Sequence, residues 1–261
     1  MRRQQSGAGI RLLIGLAIAA FSLFSYFSSS QYNEVTGENQ YISLSPQQEI
    51  RLGLEAVPSL VQEFGGALNN REVQDAIDEI GFDLVNNSFA ATQPWDYEFT
   101  VLDSDILNAF ALPGGPMFIT TEMLNQLDTV DEVAGVLAHE IVHVVARHGA
   151  QQIAQGNLAN GLVGAVSVAS GDANATQTAA MVSQLITLQY GRDDEIESDQ
   201  LGVCIMLQAG YDPMGMIGVQ ETLRDARGAG GGQPEFFSTH PDPENRLQRI
   251  QEIINNPEQC P

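Results

Sequence analysis

A chain of 261 residues with 43% apolar and 17% charged content can bury one sizeable core, which excludes an intrinsically disordered polymer. The formal charge of −22 reflects base depletion, because 33 acidic residues face only 11 bases, all of them arginine. Such a surface repels phosphate backbones and anionic headgroups, which argues against nucleic-acid binding and polybasic membrane docking.

At the N-terminus, Arg2, Arg3 and Arg11 precede an apolar run from Leu12 to Phe27 that Ser28, Ser29 and Ser30 extend. Residues 1–30 therefore read as a signal or membrane anchor. No lipid-accepting cysteine follows the run and no A-x-A cleavage pattern is clear, which favours an uncleaved anchor. The positive-inside rule then places the rest of the chain on the far, extracytoplasmic side of the membrane. Residues 31–44 are expected to form an extended tether and residues 45–261 a single domain. In an oxidising compartment, Cys204 and Cys260 are candidates for a disulfide that pins the C-terminal tail; a buried thiol at 204 and a frayed one at 260 is the alternative.

Ser45, Pro46 and Gln48 open a helix expected to run to Phe64, with Pro58 as a kink and Gly65–Gly66 as its stop. Asn70 caps a second helix whose apolar face is Val73, Ile77, Ile80 and Leu84. Alternation over Tyr97–Leu102 and Leu107–Leu112, then the Pro113-Gly114-Gly115 turn into Pro116–Thr120, predicts a small three-stranded sheet. Thr121–Leu127 reads as a helical turn or two. Thr129 and Glu132 form a capping box opening an apolar helix through about Arg147. Residues 149–190 are small, apolar and glycine-interrupted, with weak helical patches at Leu158–Ser170 and Thr176–Gln189. Helices are expected over Asp194–Gln208, Pro213–Arg227 and Pro243–Ile254, with a glycine loop at Gly228–Gln233. The fold class is α+β, mostly helical.

The chemistry sits on the apolar helix. His139, Glu140 and His143 spell HEIVH, which puts two imidazoles one turn apart on one face, able to reach one Zn2+ ion, with Glu140 in reach of a bound water. Two solvated histidines on a surface helix would be the bland reading. The apolar neighbours Val136, Leu137, Ile141 and Val144 oppose it, since burying such groups without a partner is costly. Catalytic zinc takes a third protein ligand. Ala146 and Gly149 exclude the metzincin pattern. His148 lies off the zinc face and is expected to be structural or partly exposed. Glu195, with Asp199 one turn later to orient a zinc histidine, fits the thermolysin-like arrangement; Glu197 is the rival ligand, and a solvated acidic helix start is the alternative for both.

These segments, together with NAFALPGGPMFIT at 108–120, AGYDP at 209–213 and STHP with Arg246, resemble the family of membrane-associated zinc peptidases that includes HtpX, BepA and the CAAX prenyl endopeptidases. The resemblance covers nearly all of residues 40–255 and is that of a minimal, periplasmic-type member. It implies a gluzincin fold with zinc on His139, His143 and Glu195, Glu140 as general base, and polypeptide substrates. It also implies an edge strand beside the cleft at Pro116, Met117, Phe118 and Ile119, onto which an extended substrate adds. His240, after the glycine run, is open to three roles: stabilising an oxyanion, occupying the free zinc position to hold the enzyme latent, or making a turn beside Pro241. The expected activity is endopeptidase cleavage of unfolded or misassembled envelope proteins. A zinc-bound, peptide-holding chaperone and a purely structural zinc domain are the competing functions.

Overall fold

The computed structural model describes residues 5–170, 190–229, 235–241 and 245–261. The expected helical patch at Thr176–Gln189, residues 230–233 of the glycine loop and the start of the last helix at Pro243 lie outside them. Two compact units emerge: among the described residues, one joins 5–45 to 150–170, and the other holds the rest.

In the first unit, α1 (Gln5–Ser28) extends well beyond the apolar run. It is the one helix among the described residues long and apolar enough to cross a membrane. Residues 31–44 are not simply an extended tether. Strands β1 (Ser30–Asn33) and β2 (Glu38–Tyr41) pair antiparallel around a turn in which Gly37 has φ 72°. Asn33 builds that turn, because its side-chain oxygen accepts from the Val35 amide at 2.9 Å. α6 (His148–Ser170) is one continuous helix where weak periodicity suggested only a patch.

The second unit begins with α2 (Pro46–Glu63), which continues through Pro58, and α3 (Arg71–Asn86), capped by Asn70. Strands β3 (Glu98–Leu102), β4 (Ala109–Ala111) and β5 (Pro116–Thr120) form a sheet in the order β3-β5-β4. β5 runs parallel to β3 and antiparallel to β4. The turn between β4 and β5 needs Gly114 and Gly115, at φ 88° and 131°. A Cβ on Gly114 would also strike the Ile50 backbone at 2.3 Å.

After α4 (Thr121–Gln126), the Thr129 capping box starts α5 (Val130–Val145), buried without interruption from Ala134 to Val145. α5 packs against α3, β4, α7 (Arg192–Ala209) and α8 (Met214–Ala229). Gly202 on α7 lies against α5, where a Cβ would touch the His139 amide nitrogen at 3.4 Å and Met216 Cε at 2.9 Å. The short α9 (Phe236–Thr239) and α10 (Arg246–Asn255) follow. Cys204 on α7 is bonded to Cys260, and the two Cα atoms are 5.5 Å apart.

Candidate metal centre

Four buried side chains converge between α5, α7 and the end of α9: His139, His143, Glu195 and His240 each offer a ligand atom, all within 4.8 Å of one another. Helical periodicity supplies the first two and the close α5–α7 contact brings up the third. His139 Nε2 and His143 Nε2 are 3.0 Å apart, and each is 3.5 Å from a Glu195 oxygen. Two nitrogens bound at about 2.0–2.1 Å to one tetrahedral ion would lie roughly 3.3 Å apart, so the spacing fits zinc.

The outer hydrogen bonds fix the tautomers. His139 Nδ1 donates to Asp199 Oδ1 at 2.9 Å, which leaves its Nε2 as a bare lone pair. Asp199 also accepts from Arg246, Nε to Oδ2 at 2.5 Å and Nη2 to Oδ1 at 2.9 Å. On the other ligand, His143 Nδ1 and His148 Nδ1 are 2.8 Å apart, and His148 Nε2 is 2.9 Å from Glu197 Oε2. A carboxylate only accepts, so His148 Nε2 carries the proton, its Nδ1 accepts, and His143 Nδ1–H is the donor. Both ligand histidines thus turn lone pairs toward each other, and among the described residues neither Glu195 oxygen has a hydrogen-bond partner. Such an arrangement is repulsive and under-satisfied unless a cation joins it.

The proton affinities follow the same geometry. Burial alone would lower His139, but the hydrogen bond to Asp199 and the neighbouring Glu195 carboxylate outweigh it and raise the imidazole. His143 is lowered, chiefly by burial, which suits a neutral ligand. Burial pushes Glu195 up, yet His240, His139 and His143 together hold it well below the carboxylate range.

Glu140, the next residue on the same helix, is 1% exposed, and among the described residues neither of its oxygens is hydrogen-bonded. Its Oε1 is 3.4 Å from His240 Nε2. His240 is fully buried, stacked on Phe236 with ring centroids 4.4 Å apart, and its Nδ1 lies 3.3 Å from the Phe236 carbonyl oxygen. This presents Nε2 to the site.

The expected substrate strand needs correction. Pro116, Met117, Phe118 and Ile119 are buried on β5, which is the central strand with both edges already paired, so they cannot receive another strand. The edge beside α5 is β4. Asn108 pairs with Thr120 and Leu112 with Pro116 by backbone hydrogen bonds, so the amides and carbonyls of Ala109 and Ala111 face away from β5.

Three residues named from the sequence take different roles at the site, and a fourth, Tyr190, was not singled out. His148 and Glu197 form the chain behind His143. Arg246 braces Asp199 and brings Nη2 to 3.3 Å from Glu195 Oε2. Tyr190 stacks on the His143 ring at 3.7 Å, with its hydroxyl 3.4 Å from the Ala111 carbonyl. The signal for His148 was its five-residue offset from His143. It misled because the helix breaks at Arg147, which has φ 58°.

Comparison with known proteins agrees with this geometry. The sequence pattern of peptidase family M48 matches residues 67–254. The chain is 28% identical over 244 residues to the mitochondrial metalloendopeptidase OMA1 of Schizosaccharomyces pombe, a match covering 93% of this chain and 71% of that protein. It is 29% identical over 215 residues to the beta-barrel assembly-enhancing protease of Escherichia coli, covering 78% of this chain and 43% of the other. A 156-residue match to mitochondrial metalloendopeptidase OMA1 of Arabidopsis thaliana reaches 35% identity over 59% of this chain and 31% of that one. The chain thus spans less than half the length of the Escherichia coli and Arabidopsis thaliana relatives. Because the family match takes in the sheet, α5 and the whole of α7, the chain belongs to peptidase family M48, as a metalloendopeptidase with one zinc site.

Proposed function

We infer that the protein is an extracytoplasmic endopeptidase that cuts unfolded or misassembled envelope proteins. In this reading, residues 1–30 serve as the anchor, 31–44 lead from the membrane and 45–261 form the peptidase domain. Zinc is held by His139, His143 and Glu195, and when bound it lowers the pKa of water and polarises the scissile carbonyl. Glu140 takes the proton of the attacking water and passes it to the leaving amine. Asp199 and His148 hold the two imidazoles in the tautomers that present Nε2. An extended substrate adds to the edge of β4 that faces away from β5, where the outward groups of Ala109 and Ala111 offer backbone hydrogen bonds and no side-chain selection. A surface that reads backbone suits unfolded clients of mixed sequence.

The single observation carrying the reading is Glu140: a buried carboxylate with no hydrogen-bond partner among the described residues, beside the cluster of candidate metal ligands, is placed to act as a base. The same site supports latency as its resting condition. His240 Nε2 sits with the ligand atoms, Tyr190 reaches the Ala111 carbonyl, and the Phe236 amide donates to the Leu107 carbonyl at 3.2 Å. Water and substrate must displace all three.

The test is cleavage of an unfolded protein by the purified full chain, beside Glu140→Gln and His240→Ala, with zinc content measured on each. Cleavage by wild type, none by a zinc-loaded Glu140→Gln, and more by His240→Ala is the expected pattern. If no variant cuts while all hold zinc, the peptide-holding alternative takes its place.

A further inference from the structure

Helices α1 and α6 pack as an antiparallel pair whose closest approaches use a glycine from each side. A Cβ on Gly15 would meet the Ala165 carbonyl oxygen at 2.6 Å and Ala169 Cβ at 2.9 Å, and one on Gly161 would meet Ser22 Oγ at 2.3 Å. Close backbone approach over small residues is how helices associate in lipid, where burying apolar surface gains nothing. These contacts also fix a common depth. Gly15 and Ser22 belong to Ala8–Ser28, the 21-residue segment able to span a bilayer, so Gly161, Ala165 and Ala169 sit at the same level.

Composition and exposure agree with that depth. Residues 149–170 contain no Asp, Glu, Lys or Arg. Val163 on α6 is 61% exposed, and Leu13 and Phe21 on α1 are 68% and 72% exposed. Apolar surface exposed on two packed helices marks an interaction site, and beside a segment able to span a bilayer the lipid is the partner it fits. Ser22, Ser25, Ser29, Ser43 and Asn157 line a cavity between the helices toward the C-terminal end of α1. With α1 as the anchor, that end would lie nearest water and the end at Gly15 and Ala169 deepest.

We propose that residues 158–170 of α6 are a second membrane-inserted element, with the lipid bilayer as the partner of their outer face. At 1.5 Å per residue the segment reaches about 18 Å, more than half of a hydrocarbon core of roughly 30 Å. Being helical, it satisfies its backbone internally, as that environment demands. The inference rests on α1 being retained as an anchor.

The test places a nitroxide at Val163→Cys in the full chain reconstituted into phosphatidylcholine–phosphatidylglycerol vesicles, with Phe21→Cys on α1 and Glu72→Cys on α3 as references. The native cysteines are bridged, so each variant carries one label. Collision with oxygen is compared with collision with a nickel chelate. The expected result is an oxygen-to-nickel ratio at Val163 that matches Phe21 and exceeds Glu72. A lipid-like Phe21 with a water-like Val163 overturns the inserted arm and leaves the anchor standing. A water-like signal at both positions, or an intact mass lacking the N-terminal segment, overturns the anchor and the arm with it.

Discussion

Replacing His148 by alanine removes the acceptor for the His143 Nδ1–H and leaves a buried donor behind a metal ligand. The bond is 2.8 Å long, and it is backed by the 2.9 Å bond from His148 to Glu197. Ser198 Oγ, 3.4 Å from the same nitrogen, is too far to replace it fully. Loss of such a supporting group weakens metal binding by about 10–100-fold, or roughly 1.4–2.7 kcal/mol. Zinc affinity, measured by competition with a chromophoric chelator, should fall by that factor, and the cobalt-substituted protein should show an altered visible spectrum. His148→Gln should recover part of the affinity, because its amide oxygen can accept the same proton. Wild-type affinity in a folded His148→Ala protein would refute the reasoning. Equal losses in the alanine and glutamine variants would reduce His148 to a packing residue.

Other perturbations test the frame around the site. The Cys204–Cys260 bridge spans 56 residues of sequence, so replacing both cysteines by alanine should cost about 4 kcal/mol in denaturant unfolding. Gly53→Ala would drive a Cβ to 2.2 Å from the Pro113 carbonyl oxygen, and a loss of about 1–3 kcal/mol should appear as a lower Tm. Asp199 is pushed up by burial but held below its ordinary value by Arg246 and His139. Its contribution is therefore present above the unfolded-state pKa of about 3.9 and lost as pH falls through the folded-state value. In zinc-free protein, Arg246→Met should move acid unfolding to higher pH; an unchanged midpoint would deny the guanidinium that role.

Local signals were legible in the sequence wherever a feature depends on neighbours in the chain. The Asn70 cap, the Thr129–Glu132 capping box and the one-turn spacing of His139 and His143 all act within four residues. The α+β class and the histidine pair of the zinc cluster could be read at that level. Strand order could not, because the Pro113-Gly114-Gly115 turn pairs β4 with β5 but carries no information that β3 takes the other edge of β5. The intended substrate strand therefore turned out to be the sheet's centre. Likewise, the partnership of His148 with His143 depends on the backbone reversing hand at Arg147, a choice that a left-handed arginine does not advertise. Arg147 is held there by Glu49, with Trp95 beneath the guanidinium at 5.7 Å, residues distant in the chain.

The β3-β5-β4 order also bears on how the chain reaches this state. β3 has no sequential neighbour to zip against, so the parallel β3–β5 ladder forms only when β5 slots between two strands that precede it in the chain. Non-local closure of this kind is slow relative to helix formation. Amide protection in β3 should therefore appear together with that of β5 in pulsed hydrogen exchange, after α3 and α5, and earlier protection of β3 would contradict this order. Until then the ligand-bearing helix lacks its flanking edge, so the nascent protease passes through a stage in which the scissors exist before the cutting board.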